Sequence, residues 1–121
     1  MSLIVVLAVG VVGGAGAVAR LLLDGAVSER SASGFPYGTL TVNVLGAFAL
    51  GVLAGAALGR DAYRVVGTGL IGAFTTFSTW ALESHRLGED GELRLGVANF
   101  AMSLLAGLLA AWLGRHLGGA L

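Results

Sequence analysis

The chain has 121 residues, of which 56% are hydrophobic and 12% charged, with 21 glycines, one proline and no cysteine. A soluble domain carries about a quarter charged residues, and a core this small cannot hide so much apolar surface from water, so the surplus faces lipid. Seven arginines and seven acids cancel to a formal net charge of zero, which excludes a basic excess for nucleic acid, and the missing cysteines exclude disulfides and thiolate metal sites.

A helix crosses the hydrocarbon core with about 20 apolar residues. Uncharged stretches run over 2–19, 31–59, 65–82 and 95–114. The first predicts a helix over roughly 3–23. Met1-Ser2-Leu3-Ile4 has no positively charged n-region and further apolar spans follow, so this span is expected to stay in the mature protein. Within it Gly10 and Gly14 stand four apart, flanked by Gly13 and Gly16, a spacing that suits close helix packing. Arg20 is the expected intramembrane charge; it either snorkels to the surface or pairs with Asp24 one turn later.

Turn-forming residues Gly34-Phe35-Pro36-Tyr37-Gly38 delay the second helix to roughly 39–58. It carries Thr39, Asn43, Ala47, Gly51, Gly55 and Gly59, each four residues after the last. Such a stripe fits helix packing, but an amide inside a bilayer is costly unless paired and faces the bundle interior or water, which singles out Asn43.

The third span is expected over roughly 64–83. Its Thr75-Thr76-Phe77-Ser78-Thr79-Trp80 puts four hydroxyls at mid-membrane, just after Gly67, Gly69 and Gly72. Glycine, threonine and serine make a poor helix interior, and non-helical backbone at this depth survives only where buried in protein or lining a cavity. The composition therefore predicts a break near 72–76, whose freed carbonyls suit a cation and whose hydroxyls and N–H groups suit an anion. The alternative is a regular helix with hydroxyls bonded back to its own carbonyls. Phe77 and Trp80 offer positively polarised ring edges beside those hydroxyls. Glu83 closes the span.

The fourth helix, roughly 94–116, repeats the small-and-polar stripe with Asn99, Ser103, Gly107 and Ala111. With a cytoplasmic N-terminus, Arg60, Arg64 and Arg115 fall inside and Arg20, Arg30, Arg86 and Arg94 outside. Three against four barely chooses an orientation. The chain either takes one orientation on a marginal bias or inserts both ways and pairs as an antiparallel dimer.

Four motifs in order resemble the Fluc family of bacterial fluoride channels, also called CrcB. Gly13-Gly14-Ala15-Gly16-Ala17-Val18-Ala19-Arg20 looks like the family's GGxxGAxxR, and the segment from Gly38 to Gly46 is similar to its GTLxVNxxG. Gly72-Ala73-Phe74-Thr75-Thr76-Phe77-Ser78-Thr79 is similar to GxxTTFST, and the segment from Asn99 to Gly114 resembles its final span. The resemblance implies an all-α membrane protein, a single four-helix domain over 1–121, whose third helix is broken mid-membrane. It implies an antiparallel dual-topology dimer, with itself or a paralogue, in a bacterial plasma (inner) membrane. Two fluoride pores would run at the subunit interface. Asn43 would be the pore amide and Phe77 the first ring of a phenylalanine box, with Trp80 in the place of the second ring. Thr39, Ser103, Asn99, Ser78 and Thr79 would supply the polar lining. A sodium ion at the dimer axis would be held by the backbone carbonyls of Gly72 and Thr75, with Arg20 and Glu83 near the vestibules. No organic cofactor, catalytic step or nucleic-acid partner is implied.

Two positions depart from the family pattern: Trp80 replaces a phenylalanine, and Asn99 stands where relatives carry a tyrosine. Slow conduction, use of mainly the Phe77 pore, and a paralogous partner are the three consequences that the first departure leaves open. Two other functions fit four small helices. A small multidrug-resistance-type antiporter needs an acid inside its first span, and 2–19 contains none. A non-transporting membrane scaffold would be satisfied by the glycine stripes alone. The absence of acid or histidine deep in any span also argues against proton-coupled cation export.

Overall fold

The computed structural model describes residues 1–31 and 33–121; Ala32, in the uncharged stretch ahead of the second span, lies outside the described residues. Among those residues the fold is entirely helical, and four helices are long and apolar enough to cross a membrane: Leu3–Arg30, Tyr37–Gly55, Arg60–Glu89 and Leu93–Gly119.

Helix α1 (Leu3–Arg30) begins where the Ser2 hydroxyl accepts the Val5 N–H at 3.3 Å, an N-cap that satisfies one orphan donor. It runs seven residues beyond the expected end at 23. The expectation followed the end of the apolar stretch, but the helix continues through the polar residues after it, where the Ser28 hydroxyl donates to Asp24 Oδ1 at 3.3 Å. Asp24 is thus engaged by Ser28, and among the described residues Arg20 forms no ion pair within 4.0 Å. Of the two alternatives for Arg20, pairing with Asp24 is not found, the Asp24 carboxylate accepting from Ser28 instead.

Helix α2 (Tyr37–Gly55) starts behind Pro36 and stops before Ala57, which takes φ 54°. A left-handed residue just past a helix end closes the last carbonyls, and it ends α2 three residues short of the expected 58. The third span then combines several backbone forms. Helix α3 (60–74) is α-helical over Arg60–Ala62, π-helical over Tyr63–Ile71 and α-helical again over Gly72–Phe74. Thr75 and Thr76 follow with extended backbone, φ/ψ −86°/161° and −148°/120°. Helix α4 (Phe77–Glu89) resumes behind Thr76 and gives way at Gly91, whose φ of 79° lets the chain reverse into α5 (Leu93–Gly119).

The most intimate helix pair is α2 against α5, and its contact is reciprocal. A Cβ on Gly51 or Gly55 would run into the carbonyl of Ala111 or Arg115, and one on Gly114 or Gly118 into the carbonyl of Phe48 or Val52. Lipid tails are as apolar as leucine, so a membrane helix pair gains by close backbone approach rather than by hiding apolar side chains. Two glycines four apart on each helix provide that approach. On α1 the residues in contact are Gly13 and Gly16, against Gly69 and Leu70 of α3, whereas a Cβ added to Gly10 or Gly14 would meet nothing within 4 Å. Gly107, in the expected stripe of the last span, is likewise open. On α1 the four-residue pair Gly10 and Gly14 marks a face that meets nothing, while the contact falls on Gly13 and Gly16, three apart, because the register with α3 selects that face.

Candidate functional site

The site grows from the two extended residues between α3 and α4. In an uninterrupted α-helix the Thr76 N–H would close on the Gly72 carbonyl and the Thr79 N–H on the Thr75 carbonyl. Instead the Thr76 N–H donates to Asn43 Oδ1 at 2.8 Å, and the Thr79 N–H donates to Thr76 Oγ1 at 3.2 Å. Both diversions leave the Gly72 and Thr75 carbonyls without their α-helical donors. The Asn43 side chain completes a two-point bond by donating Nδ2–H to the Thr76 carbonyl at 2.8 Å. The amide pairs with both backbone groups of one residue as a neighbouring β-strand would, and so satisfies backbone that a bilayer could not.

Thr76 is also the N-cap of α4, and its Oγ1 lies 3.1 Å from Thr79 Oγ1 and 3.4 Å from Ser78 Oγ. The first turn of α4 therefore gathers hydroxyls and unpaired helix N–H groups, with the positive end of the helix dipole behind them. An open groove of about 280 Å³ runs beside this turn, lined by Asn43, Thr75, Thr76, Phe77, Trp80, Ser103, Leu104, Gly107 and Leu108. None of these side chains titrates near neutral pH. A second groove, about 290 Å³, lies on the other side of Asn43 and Thr75 and is lined also by Gly46, Ala47, Leu50, Gly67, Ile71 and Gly72.

The aromatic wall is ordered. Phe77, 73% exposed, meets Trp80 at 5.1 Å between ring centroids and 80° between planes. Trp80 is buried and stacks on Phe100 at 4.7 Å and 19°. Its indole N–H donates to the Asn99 backbone carbonyl at 3.3 Å. Asn99 is fully enclosed and its amide is committed: Nδ2 donates to Ser84 Oγ at 2.8 Å, and Oδ1 accepts from the Ser103 hydroxyl at 3.3 Å. At one end, the enclosed Thr39 donates its hydroxyl to the half-buried Glu83 carboxylate. No buried side-chain nitrogen or oxygen among the described residues lacks a partner.

Of the residues singled out in the sequence, Asn43, Thr75, Phe77, Trp80 and Ser103 share the first groove. Gly72 joins Asn43 and Thr75 on the second, Ser78 and Thr79 flank the Thr76 hydroxyl, and Asn99 sits behind the wall. Thr39 and Glu83 pair with each other, and Arg20 stands half-buried on α1. Sequence reasoning passes over Thr76 and Ser84 as individual site residues. Thr76 is detectable from the Thr-x-x-Thr spacing of an N-cap, and Ser84 from its place one helical turn after Trp80.

Fold and site together define a multi-pass membrane protein with a polar, uncharged groove at the junction of two helix segments. The family model described as CrcB-like protein, Camphor Resistance (CrcB), matches residues 7–115, and the chain belongs to that family. A protein named fluoride-specific ion channel FluC 2 from Mycobacterium tuberculosis (strain ATCC 25618 / H37Rv) is 55% identical over 104 residues, covering 86% of this chain and 82% of its own. FluC 1 of Symbiobacterium thermophilum is 47% identical over 116 residues, covering 91% of this chain and 94% of its own. FluC 1 of Leifsonia xyli subsp. xyli is 43% identical over 123 residues, covering 98% and 90%.

Proposed function

We propose that this chain is a fluoride-specific ion channel that lets fluoride leave the cytoplasm passively across a bacterial plasma membrane, lowering its internal concentration. It is a conduit and not an enzyme. The observation that carries the reading is the first groove: an amide, the N-terminal turn of α4 and two aromatic rings converge there without a fixed charge. The names of the relatives support the same reading and lend nothing to the antiporter or scaffold alternatives.

A small halide holds its water tightly, so a selective path must offer replacement ligands at close range. Ring edges, hydroxyls and N–H groups do this without a full positive charge that would trap the ion. In this reading Asn43, Phe77, Trp80 and Ser103 contact the ion, with Thr39, Ser78 and Thr79 continuing the polar lining and Asn99 standing behind the wall. Arg20 and Glu83 lie toward the vestibules.

The working channel is an antiparallel dimer of this four-helix unit, residues 1–121, with the third helix broken at Thr75 and Thr76 inside the membrane. The extended backbone at both residues supports the break, and the exposure of Phe77 supports a second subunit over the open side of the groove. The Gly72 and Thr75 carbonyls, deprived of helical donors, are hard oxygen ligands of the kind a sodium ion takes. One chain offers two such carbonyls, so a second copy would complete the set. When bound, the ion would neutralise carbonyl dipoles and fix the two helix segments of each subunit.

Purified protein in liposomes loaded with fluoride should release it to a fluoride electrode on adding a potassium ionophore; retention of fluoride would end the proposal. Phe77→Ile should slow release by more than about tenfold, because ~1.4 kcal/mol of lost ion stabilisation suffices for that. The protein should still fold, since the side chain is 73% exposed. Reporter domains fused at the C-terminus should show both orientations in one membrane, and a single-sided signal would overturn the antiparallel pairing.

A further inference from the structure

Three hydrogen bonds close a ring between α4 and α5. Asn99 Nδ2 donates to Ser84 Oγ at 2.8 Å, the Ser84 hydroxyl donates to the Trp80 carbonyl at 2.9 Å, and the Trp80 indole N–H returns to the Asn99 carbonyl at 3.3 Å. A fourth, from the Ser103 hydroxyl, occupies the remaining Asn99 oxygen at 3.3 Å. The Asn99 amide is thus engaged at both ends behind the groove, and it is not among the groove's lining residues. Ser84 does not line the first groove; it connects to it through the Trp80 carbonyl and, by way of Asn99, through Ser103.

Such a ring has a purpose that packing alone would not demand. A buried indole needs an acceptor for its N–H, and here the acceptor is a backbone carbonyl whose helix is tied back to α4 by Asn99 and Ser84. The ring therefore fixes the rotation of Trp80 between Phe100, on which it stacks, and Phe77, which it meets at 80°. Resting on the channel reading above, we propose that Ser84 and Asn99 are positioning residues. Through Trp80 they hold the Phe77 ring at the angle the conducted anion needs.

The test uses a Trp112→Phe background, in which Trp80 is the sole tryptophan; Trp112 lies exposed on α5 and lines neither groove. Ser84→Ala removes the hydroxyl without altering Asn99, whose own truncation risks the fold. It should raise acrylamide quenching of Trp80 and slow fluoride release about tenfold, the effect of ~1.4 kcal/mol on a barrier. Ser84→Thr keeps the hydroxyl and should restore both. Unchanged Trp80 quenching in Ser84→Ala would overturn the proposal, as would slowed release that Ser84→Thr fails to rescue. If the unsubstituted protein releases no fluoride, the channel reading fails, while the quenching series still decides whether Ser84 holds the ring.

Discussion

Asn43→Asp, reconstituted in fluoride-loaded liposomes, should release fluoride no faster than protein-free vesicles. The wild-type amide donates to the Thr76 carbonyl and accepts from the Thr76 N–H, both at 2.8 Å. An ionised carboxylate keeps the second bond and turns the first into contact between two negative oxygens. It also puts a full negative charge beside the groove, where the low dielectric leaves it poorly screened against an approaching anion. Size-exclusion chromatography and circular dichroism separate this from misfolding. A well-folded Asn43→Asp protein with wild-type release would remove Asn43 from the ion path. Asn43→Ala is the complementary case. It leaves both Thr76 backbone groups unpaired, at about 1–3 kcal/mol each, so its main effect should be a lowered melting temperature.

Gly51→Val should have the largest effect on stability. A Cβ there would collide with the Ala111 carbonyl and sit 3.0 Å from both the Ala111 carbonyl carbon and the Arg115 nitrogen. All three are backbone atoms, which cannot swing aside as a side chain does. Helix α5 would have to move away from α2 along the whole of the reciprocal glycine contact. Overpacking of a rigid site costs about 1–3 kcal/mol or more, and here the reciprocal contacts at Gly55, Gly114 and Gly118 loosen with it. The expected result in detergent is a loss of the monodisperse peak or a fall in melting temperature of several degrees. Gly25→Val is the control, since nothing lies within 4 Å of its Cβ position. Equal behaviour of the two variants would show that the α2–α5 approach is not what holds the bundle.

The membrane assignment was legible from charge placement alone, because a bilayer sorts charged from uncharged stretches whatever the tertiary fold. Helix ends were legible only to within a few residues. Helix α1 outruns its apolar stretch through Asp24 and Ser28, because backbone hydrogen bonds and caps, not the end of an apolar run, set where a helix stops. The extended backbone at Thr75 and Thr76 lies in a stretch of hydroxyls and glycines, which support a helix poorly. Its partner was not anticipated, since nothing in the residues around Asn43 names a residue 33 positions away.

Asn99 shows the same limit from the other side. In the sequence it looks like Asn43: an amide in an apolar helix, followed one turn on by a small residue. In the fold one amide lines a groove and the other is sealed behind a tryptophan. By itself the sequence determined that four helices cross a bilayer and which few polar residues must find partners there, because burying an unpaired dipole in hydrocarbon is too costly to be left to chance. Tertiary structure alone decided which partner each one found. Helix periodicity gives the face on which a side chain lies, but the rotation and register of the neighbouring helices decide what that face meets.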